Sequence, residues 1–302
     1  MKKIIKKVVN QLPYVRGLYI QNERYKNNAC FPPGHFYSTI VDVKEIKRNE
    51  DKIWEELSND GLNDIELNTQ NQIKLLEDIS KYYSEIPFEE ENKENIRYKF
   101  KNGMYSYTDG IVLYSMIRHV KPKRIIEIGS GHSSALMLDV NNLFFDNSIE
   151  LTFIEPFPRR LHSLITDTDR KTAKVIERIV QDVDLSIFST LEKGDILFID
   201  STHVSKCGSD LNFIMFKILP LLKEGVFIHF HDIFYPFEYP KEWVYKGYNW
   251  NENYILRAFL MNNDRYQIQL FSHYMHLHHK EAFSAMPLAY LNFGGNLWLK
   301  KE

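Results

Sequence analysis

Aspartate and histidine residues follow two apolar stretches in the second half of the 302-residue chain. Asp200 and His203 come after the first stretch, and His231 and Asp232 come at the end of the second. Carboxylates and imidazoles can bind a divalent cation, and an imidazole can also act as a general base near neutral pH. The sequence therefore predicts His203, His231 and Asp232 as catalytic residues, and Asp200, His231 and Asp232 as ligands of a cation such as Mg²⁺.

The second stretch contains a further histidine, His229, two residues before His231. On a strand these two side chains would point to the same face, and burying them without partners would carry a large energetic cost. Either they form hydrogen bonds in the core, or they reach a cleft. The neighbouring Asp200 and His203 favour the cleft.

A glycine turn lies earlier in the chain, within Arg124–Ser134. The residues before it are largely β-branched, as a covered central strand requires, and the serines after it can cap a helix. Gly129 and Gly131 permit a sharp turn and the close approach of a ligand to the backbone. The dinucleotide fingerprint has a third glycine where Ser134 stands. The turn therefore predicts a nucleotide-like cofactor without identifying it.

Acidic residues also follow the second and third predicted strands, at Glu155 and Asp182. Glu155 could accept hydrogen bonds from both ribose hydroxyls of an adenosine compound, and the alternative is a surface carboxylate at a strand end. Asp182 could accept a hydrogen bond from an adenine amine, and the alternative is a helix cap. We predict both residues as cofactor ligands.

Strand and helix patterns alternate from Arg124 onward, which predicts a parallel sheet with crossover helices. Two late strands could pair as antiparallel neighbours. A polar stretch at 89–95 suggests an N-terminal, mainly helical extension or substrate cap at 1–100 and a catalytic domain at 101–302. The predicted strands are 124–128, 149–155, 174–180, 195–201, 225–232, 266–271 and 296–300, and the predicted helices are 69–83, 109–119, 211–222 and 253–262.

Composition limits the classes of function. A hydrophobic share of 44% and a charged share of 26% are normal for a soluble globular protein, and a net charge of −2 argues against nucleic-acid binding. Two cysteines give no disulfide framework and predict a reducing, cytoplasmic location. No apolar run reaches the roughly 20 residues that span a bilayer. Residues 1–9 could form a short basic helix that touches anionic lipid weakly, and the alternative is a helix packed on the protein.

The motif Glu127-Ile-Gly-Ser-Gly131, together with Glu155, Asp200 and the final strand pair, resembles class I S-adenosylmethionine-dependent methyltransferases. The stretches 198–210 and 229–240 resemble, more narrowly, a bacterial branch of the methyltransferase-24 type. The resemblance extends over nearly the whole chain. Its long motifs after the fourth and fifth strands are more specific than its glycine motif.

This resemblance implies an α/β fold with a Rossmann-like, seven-stranded, mostly parallel sheet, helices on both faces and an antiparallel last strand. It implies S-adenosylmethionine as the cofactor, with Glu155 at the ribose. Metal-dependent members place carboxylates after strands four and five, where this chain has Asp200 and Asp232, whereas His231 stands where a further acidic ligand is often found. Ser133 replaces a third glycine of many members. The resemblance implies Glu127, Gly129 and Gly131 around the methionine part of the cofactor. We also predict Ser130, Ser133 and Asp200 as cofactor-binding residues.

We therefore expect methyl transfer to an oxygen of a small molecule or a glycan, with nitrogen as the second choice. An NAD-dependent oxidoreductase on a similar sheet is one alternative, against which the missing third glycine and the terminal strand pair count. A non-catalytic, cofactor-binding scaffold is another, against which the cluster of histidine and aspartate counts. The sequence leaves a homo-oligomer open.

Overall fold

The computed structural model describes residues 12–59 and 62–302 and divides the chain into two compact units. The first unit comprises Met1–Glu55 and Lys241–Asn249, and the second comprises Glu56–Pro240 and Trp250–Glu302. The predicted lipid contact of residues 1–9 lies outside the described residues. The functional division at residue 100 stays a prediction. Within the described ranges, every helix is too short or too polar to cross a membrane.

Short helices form the first unit. Asp42 begins one of them, because its side chain accepts hydrogen bonds from the backbone N–H groups of Lys44 and Glu45 and so caps the free end. The helices that begin in this unit are α1 (Pro13–Asn28), α2 (Val43–Arg48), α3 (Glu50–Asn59) and α10 (Lys241–Tyr245).

The second unit is built on a seven-stranded sheet in the order β3-β2-β1-β4-β5-β7-β6. Strands β1 to β5 run parallel, and β7 runs antiparallel to both of its neighbours, β5 and β6. This confirms the predicted fold class. The strands are β1 (Arg124–Ile128), β2 (Glu150–Ile154), β3 (Lys174–Ile176), β4 (Ile196–Ile199), β5 (Phe227–Phe230), β6 (Tyr266–Phe271) and β7 (Leu297–Lys301).

Every residue of the central strand β4 is buried, although its side chains alternate between the two faces of the sheet. Both faces are therefore covered, as helices cover them in a parallel sheet. Apolar side chains of β1, β4 and β5 form the middle of the core. The helices of this unit are α4 (Thr69–Ser80), α5 (Tyr107–Val120), α6 (His132–Phe145), α7 (Arg159–Leu164), α8 (Asp169–Thr172), α9 (Asp210–Phe213), α11 (Glu252–Leu260) and α12 (Ser272–His278).

The segment predicted as one helix at 211–222 consists of three consecutive helical segments of different type. After α9 the chain forms a π-helix at Ile214–Ile218 and a 3₁₀ helix at Leu219–Leu221. Pro220 explains the change near the end, because its ring removes a backbone donor and obstructs the preceding turn. The link between β6 and β7 also contains α12, which the sequence pattern did not predict.

The predicted third strand is shorter than expected. It ends at Ile176, and the chain then forms a 3₁₀ helix at Val180–Asp182. This turn changes which side chain of the segment lies at the carboxyl edge of the sheet.

Candidate active site

The glycine loop connects β1 to α6 and lies against the end of β4. Gly129 has φ +85°, and a Cβ atom there would lie 1.8 Å from the Asp200 carbonyl oxygen. Only glycine fits this close approach. The backbone N–H of Asp200 donates to the Ile128 carbonyl at 2.9 Å, so the loop and the following strand end are held together.

Glu127 lies beneath this loop and is fully buried. Its carboxylate accepts hydrogen bonds from the hydroxyls of Ser133, at 2.5 Å, and Ser134, while Gly131 N–H donates to the Ser134 oxygen at 3.0 Å. Burial raises the pKa of Glu127 to about 8, although the serine hydroxyls oppose the shift. In this structure Glu127 therefore positions the loop and the helix start, and its predicted role in cofactor binding stays a prediction.

Glu155 lies after β2 with its carboxylate already oriented. One oxygen accepts from Ser130 N–H at 3.1 Å, and the other accepts from Phe157 N–H at 2.8 Å. The residue lines a cleft of about 320 Å³ together with Gly129 and Asp200. A carboxylate held by two backbone donors keeps further lone pairs for ribose hydroxyls.

The structure places Gln181, rather than its neighbour Asp182, in the lining of this cleft. Gln181 Nε2 donates to the Gly208 carbonyl at 2.9 Å, and its Oε1 has no partner. Asp182 lines a separate shallow depression with Asp184, because the 3₁₀ helix after β3 turns it away. In this structure Gln181 lines the cleft and Asp182 does not, and the adenine contact of Asp182 stays a prediction.

Three predicted residues converge after β4 and β5. Asp200, His203 and Asp232 each offer one ligand atom within 4.8 Å of the others. His203 Nε2 lies 3.4 Å from an Asp200 oxygen and 3.7 Å from an Asp232 oxygen. The Asp200 and Asp232 side chains are 32% and 22% exposed, so a ligand can reach them. We call these three residues the acid–histidine cluster.

Glu252, at the start of α11, contacts the His203 ring of the cluster. The sequence did not predict this residue. Its carboxylate lies 2.7 Å from His203 Nδ1, and the backbone N–H groups of Asn251 and Glu252 donate to the His203 carbonyl. Burial alone would lower the pKa of His203, but Asp200 and Glu252 outweigh it and raise the pKa well above the ordinary value. The two carboxylates thus favour the protonated form of the buried His203 imidazole.

His231 lies next to the cluster, whose ligand atoms come from Asp200, His203 and Asp232, and the predicted metal set with His231 stays a prediction. Its Nε2 is 3.6 Å from an Asp232 oxygen, and its Nδ1 has no partner. Its ring is buried beside Tyr105, with 4.9 Å between ring centroids. Burial opposes a charge on His231, but Asp232, Asp200 and Asp109 raise its pKa.

His229 fits neither alternative that the sequence offered. It is fully buried, both ring nitrogens lack partners, and it stacks on Phe198 with 4.1 Å between centroids. Burial lowers the pKa of His229 well below its ordinary value, so the ring stays neutral. It is a core residue without hydrogen bonds to its side chain.

Asp109, in the first turn of α5, is a second residue that the sequence analysis missed. Its carboxylate accepts from Gly295 N–H at 2.9 Å, and burial raises its pKa to about 6 against the opposing effect of His231. A Cβ atom at Gly295 would lie 2.9 Å from backbone atoms of Asp232. Asp109 therefore fixes a loop that packs on the cluster. In sequence it looks only like an acidic residue at a helix start.

Comparison with known proteins identifies the family. A family model described as a methyltransferase domain matches residues 126–233, from β1 to the residue after Asp232. An uncharacterized protein of Archaeoglobus fulgidus is 39% identical over 196 residues, which cover 62% of this chain and 84% of that protein. The chain belongs to this methyltransferase family. The prediction of a class I S-adenosylmethionine-dependent methyltransferase is confirmed, and the oxidoreductase and scaffold alternatives are set aside.

Several solved methyltransferase structures are also similar to the chain. The S-adenosylhomocysteine-bound methyltransferase PaMTH1 of Podospora anserina is 16% identical with a TM-score of 0.42, and the match covers 85% of this chain and 96% of that one. The O-methyltransferase TomG of Streptomyces achromogenes is 13% identical with a TM-score of 0.39, covering 76% and 89%. The roles of individual residues in this methyltransferase stay predictions.

Proposed function

We propose that this methyltransferase transfers the methyl group of S-adenosylmethionine to a hydroxyl oxygen of a small molecule or a glycan. The observation that carries the choice of oxygen is the acid–histidine cluster, backed by Glu252. A hydroxyl needs a base or a cation to become a good nucleophile, whereas a neutral amine can attack without either. Three carboxylates around one buried imidazole support the more demanding reaction.

The cleft residues fit the cofactor. Glu155 has the position and the free acceptor capacity for two ribose hydroxyls, and Gly129 lets the ligand approach the backbone. The unpaired Gln181 Oε1 is an acceptor for the adenine amine, and Ser201, which also lines the cleft, has an unpaired hydroxyl. Unpartnered polar atoms in a cleft are destabilising unless a ligand or water satisfies them, so they support a polar ligand there.

The transfer itself requires alignment more than covalent help from the protein. The acceptor oxygen forms a bond to the methyl carbon while the bond from that carbon to the cofactor sulfur breaks, and the hydroxyl proton passes to a base. Asp232 is the candidate for this base because it is partly exposed and lies beside two histidines that can stabilise its charge. His203 and His231 lie 3.7 and 3.6 Å from that carboxylate and act on it through their charge.

The same cluster also fits a divalent cation, which we propose as an optional component. Two carboxylate oxygens suit Mg²⁺, and His203 Nε2, after losing its proton to the solvent on metal binding, adds a donor that suits Mn²⁺ or another transition metal. A bound cation would lower the pKa of the acceptor hydroxyl. Asp200, His203 and Asp232 would hold it, with Glu252 orienting the imidazole.

The test is incubation of the purified protein with labelled S-adenosylmethionine and a panel of phenols, sugars and amines, with and without Mg²⁺ or Mn²⁺. Mass spectrometry of the products distinguishes methoxy from methylamino groups. We expect methoxy products. Methylated amines alone would replace the oxygen proposal with nitrogen, and equal rates after chelation would remove the cation from the proposal.

A further inference from the structure

Positive charge is concentrated at the N-terminal end of the chain. The first 41 residues contain seven lysines and arginines and one glutamate, a net charge of +6. The other residues contain 31 basic and 39 acidic side chains, a net charge of −8. A basic segment on an otherwise acidic protein is typical of contact with an anionic partner.

Helix α1 presents apolar side chains to its surroundings. All sixteen of its residues are partly or fully exposed, including Tyr14 at 78%, Leu18 at 49% and Tyr19 at 43%. A helix of this length normally gains its stability by burying an apolar face. These apolar side chains are therefore free to contact another molecule.

The loop after α1, residues 30–41, also holds aromatic rings outward, and we call it the aromatic loop. Phe36 is 81% exposed and Tyr37 is 67% exposed. The backbone around them is fixed by its own hydrogen bonds, including Gly34 N–H to the Ile40 carbonyl at 2.8 Å and Tyr37 N–H to His35 Nδ1 at 3.1 Å. The rings of His35 and Phe36 stack at 4.3 Å between centroids. The exposed rings thus sit on a defined turn.

We propose that residues 1–41 bind the surface of an anionic lipid bilayer. Lysines and arginines attract the headgroups, while tyrosine and phenylalanine rings are favoured at the boundary between headgroups and acyl chains. The segment would lie on the membrane, since the described helices are too short or too polar to cross it. A second copy of the chain is a poorer occupant, because it would bring together two segments whose sequences each have a net charge of +6. This proposal does not depend on the reaction.

Vesicle sedimentation tests the proposal with the full chain. One set of vesicles is phosphatidylcholine alone, and the other contains about three parts in ten of phosphatidylglycerol. We expect binding to the anionic set only, with strong weakening between about 50 mM and about 500 mM NaCl. Equal binding to both sets, or binding to neither, would overturn the proposal.

Two variants separate charge from aromatic contact. Replacing Lys2, Lys3, Lys6 and Lys7 by glutamine should weaken the partition coefficient roughly a hundredfold or more. The Phe36→Ser/Tyr37→Ser double variant should weaken it about tenfold. The matched control is Phe216→Ser, since Phe216 is 66% exposed in the second unit and should leave binding unchanged.

Binding of S-adenosylhomocysteine by each variant reports whether the enzyme is folded, and it is independent of lipid. Sedimentation equilibrium checks the competing occupant. If Phe36→Ser/Tyr37→Ser converts a dimer to a monomer while vesicle binding is unchanged, the surface is an interface between copies and the lipid proposal is wrong.

Discussion

Two regions share the carboxyl edge of the sheet, yet their carboxylates are stabilised in different ways. At the ends of β1 and β2, both oxygens of Glu155 accept hydrogen bonds from backbone N–H groups at 2.8 and 3.1 Å. At the ends of β4 and β5, Asp232 faces His203 and His231 at 3.7 and 3.6 Å, beyond hydrogen-bond distance. In the first region the backbone already orients the Glu155 carboxylate for a ligand. In the second region the Asp232 carboxylate has no such hydrogen bonds from the histidines, so its charge is available to a substrate or a cation.

The second region also contains several buried ionisable side chains. In the second region Asp109, Glu252 and His203 are buried, and burial raises the pKa of both carboxyl groups. Maintaining such groups without full compensation is costly for stability and is common where a site performs proton transfer. Changes in the second region should therefore affect turnover most, and changes in the first should affect cofactor affinity most.

The largest effect is expected from Asp232→Asn. Loss of the proposed base should lower the rate of methyl transfer about 10²–10⁴-fold, while S-adenosylhomocysteine affinity, measured by calorimetry, stays within a factor of about three. Asp184→Asn, on a carboxylate outside the cleft, is the control. A large loss of cofactor affinity in Asp232→Asn would erase the contrast between the regions.

Glu252→Gln should lower turnover about 10–100-fold by releasing His203. The raised pKa of His203 stabilises the fold below the unfolded pKa of about 6.5, and this stabilisation is lost as pH rises through the folded pKa. Without Glu252 the folded pKa falls, so the loss begins at lower pH. Urea unfolding at several pH values checks this. An unchanged pH profile would mean that the ion pair does not control His203.

Glu155→Ala should weaken binding of S-adenosylhomocysteine by about 1–3 kcal/mol, because charge-assisted hydrogen bonds to the ribose are lost. The maximal rate at saturating cofactor should change little, since no group of the second region is altered. Calorimetry and initial rates measure the two effects separately. Unchanged affinity would contradict the assignment of Glu155 to the ribose.

Gln181→Leu should weaken cofactor affinity about three- to tenfold, the effect of losing one neutral hydrogen bond. Asp182→Asn is the matched control and should leave affinity unchanged, because Asp182 lines a different depression. The reverse result would support the adenine contact predicted for Asp182.

His229→Leu should give the smallest effect, a gain in unfolding free energy on the order of 1 kcal/mol, because it removes unpartnered polar atoms from the core. The lowered pKa of His229 makes the wild-type fold lose stability as pH falls below about 6.5, since the unfolded chain binds a proton there and the folded chain does not. The variant should be less acid-sensitive in thermal melts between pH 7 and about pH 5. Loss of turnover instead would assign His229 a catalytic role.

The alternation of strands and helices was predictable because each strand is an apolar run bounded by turn residues, and the glycine loop has a recognisable pattern. The position of Gln181 in the cleft lining was not predicted because strand ends are uncertain by a few residues and an unforeseen 3₁₀ helix follows β3. His203 lies in a loop with φ +61°, and strand periodicity cannot predict that its side chain lies between Asp200 and Asp232. Glu252 lies 49 residues from its partner His203, and nothing local marks it as buried.

The first unit is assembled from two stretches of chain that are far apart in sequence. Tyr245 donates a hydrogen bond to Glu50 in the earlier stretch, and Lys241 Nζ lies 5.5 Å from the centroid of the Trp54 ring. Residues 241–249 leave the second unit after Pro240 and return to it at Trp250. The membrane-facing part proposed here and the catalytic body are therefore not separable modules. Deleting the first 55 residues would remove Glu50 and Trp54 and would leave Tyr245 and Lys241 without these contacts. The two parts therefore have to be kept together when the protein is recombined or engineered.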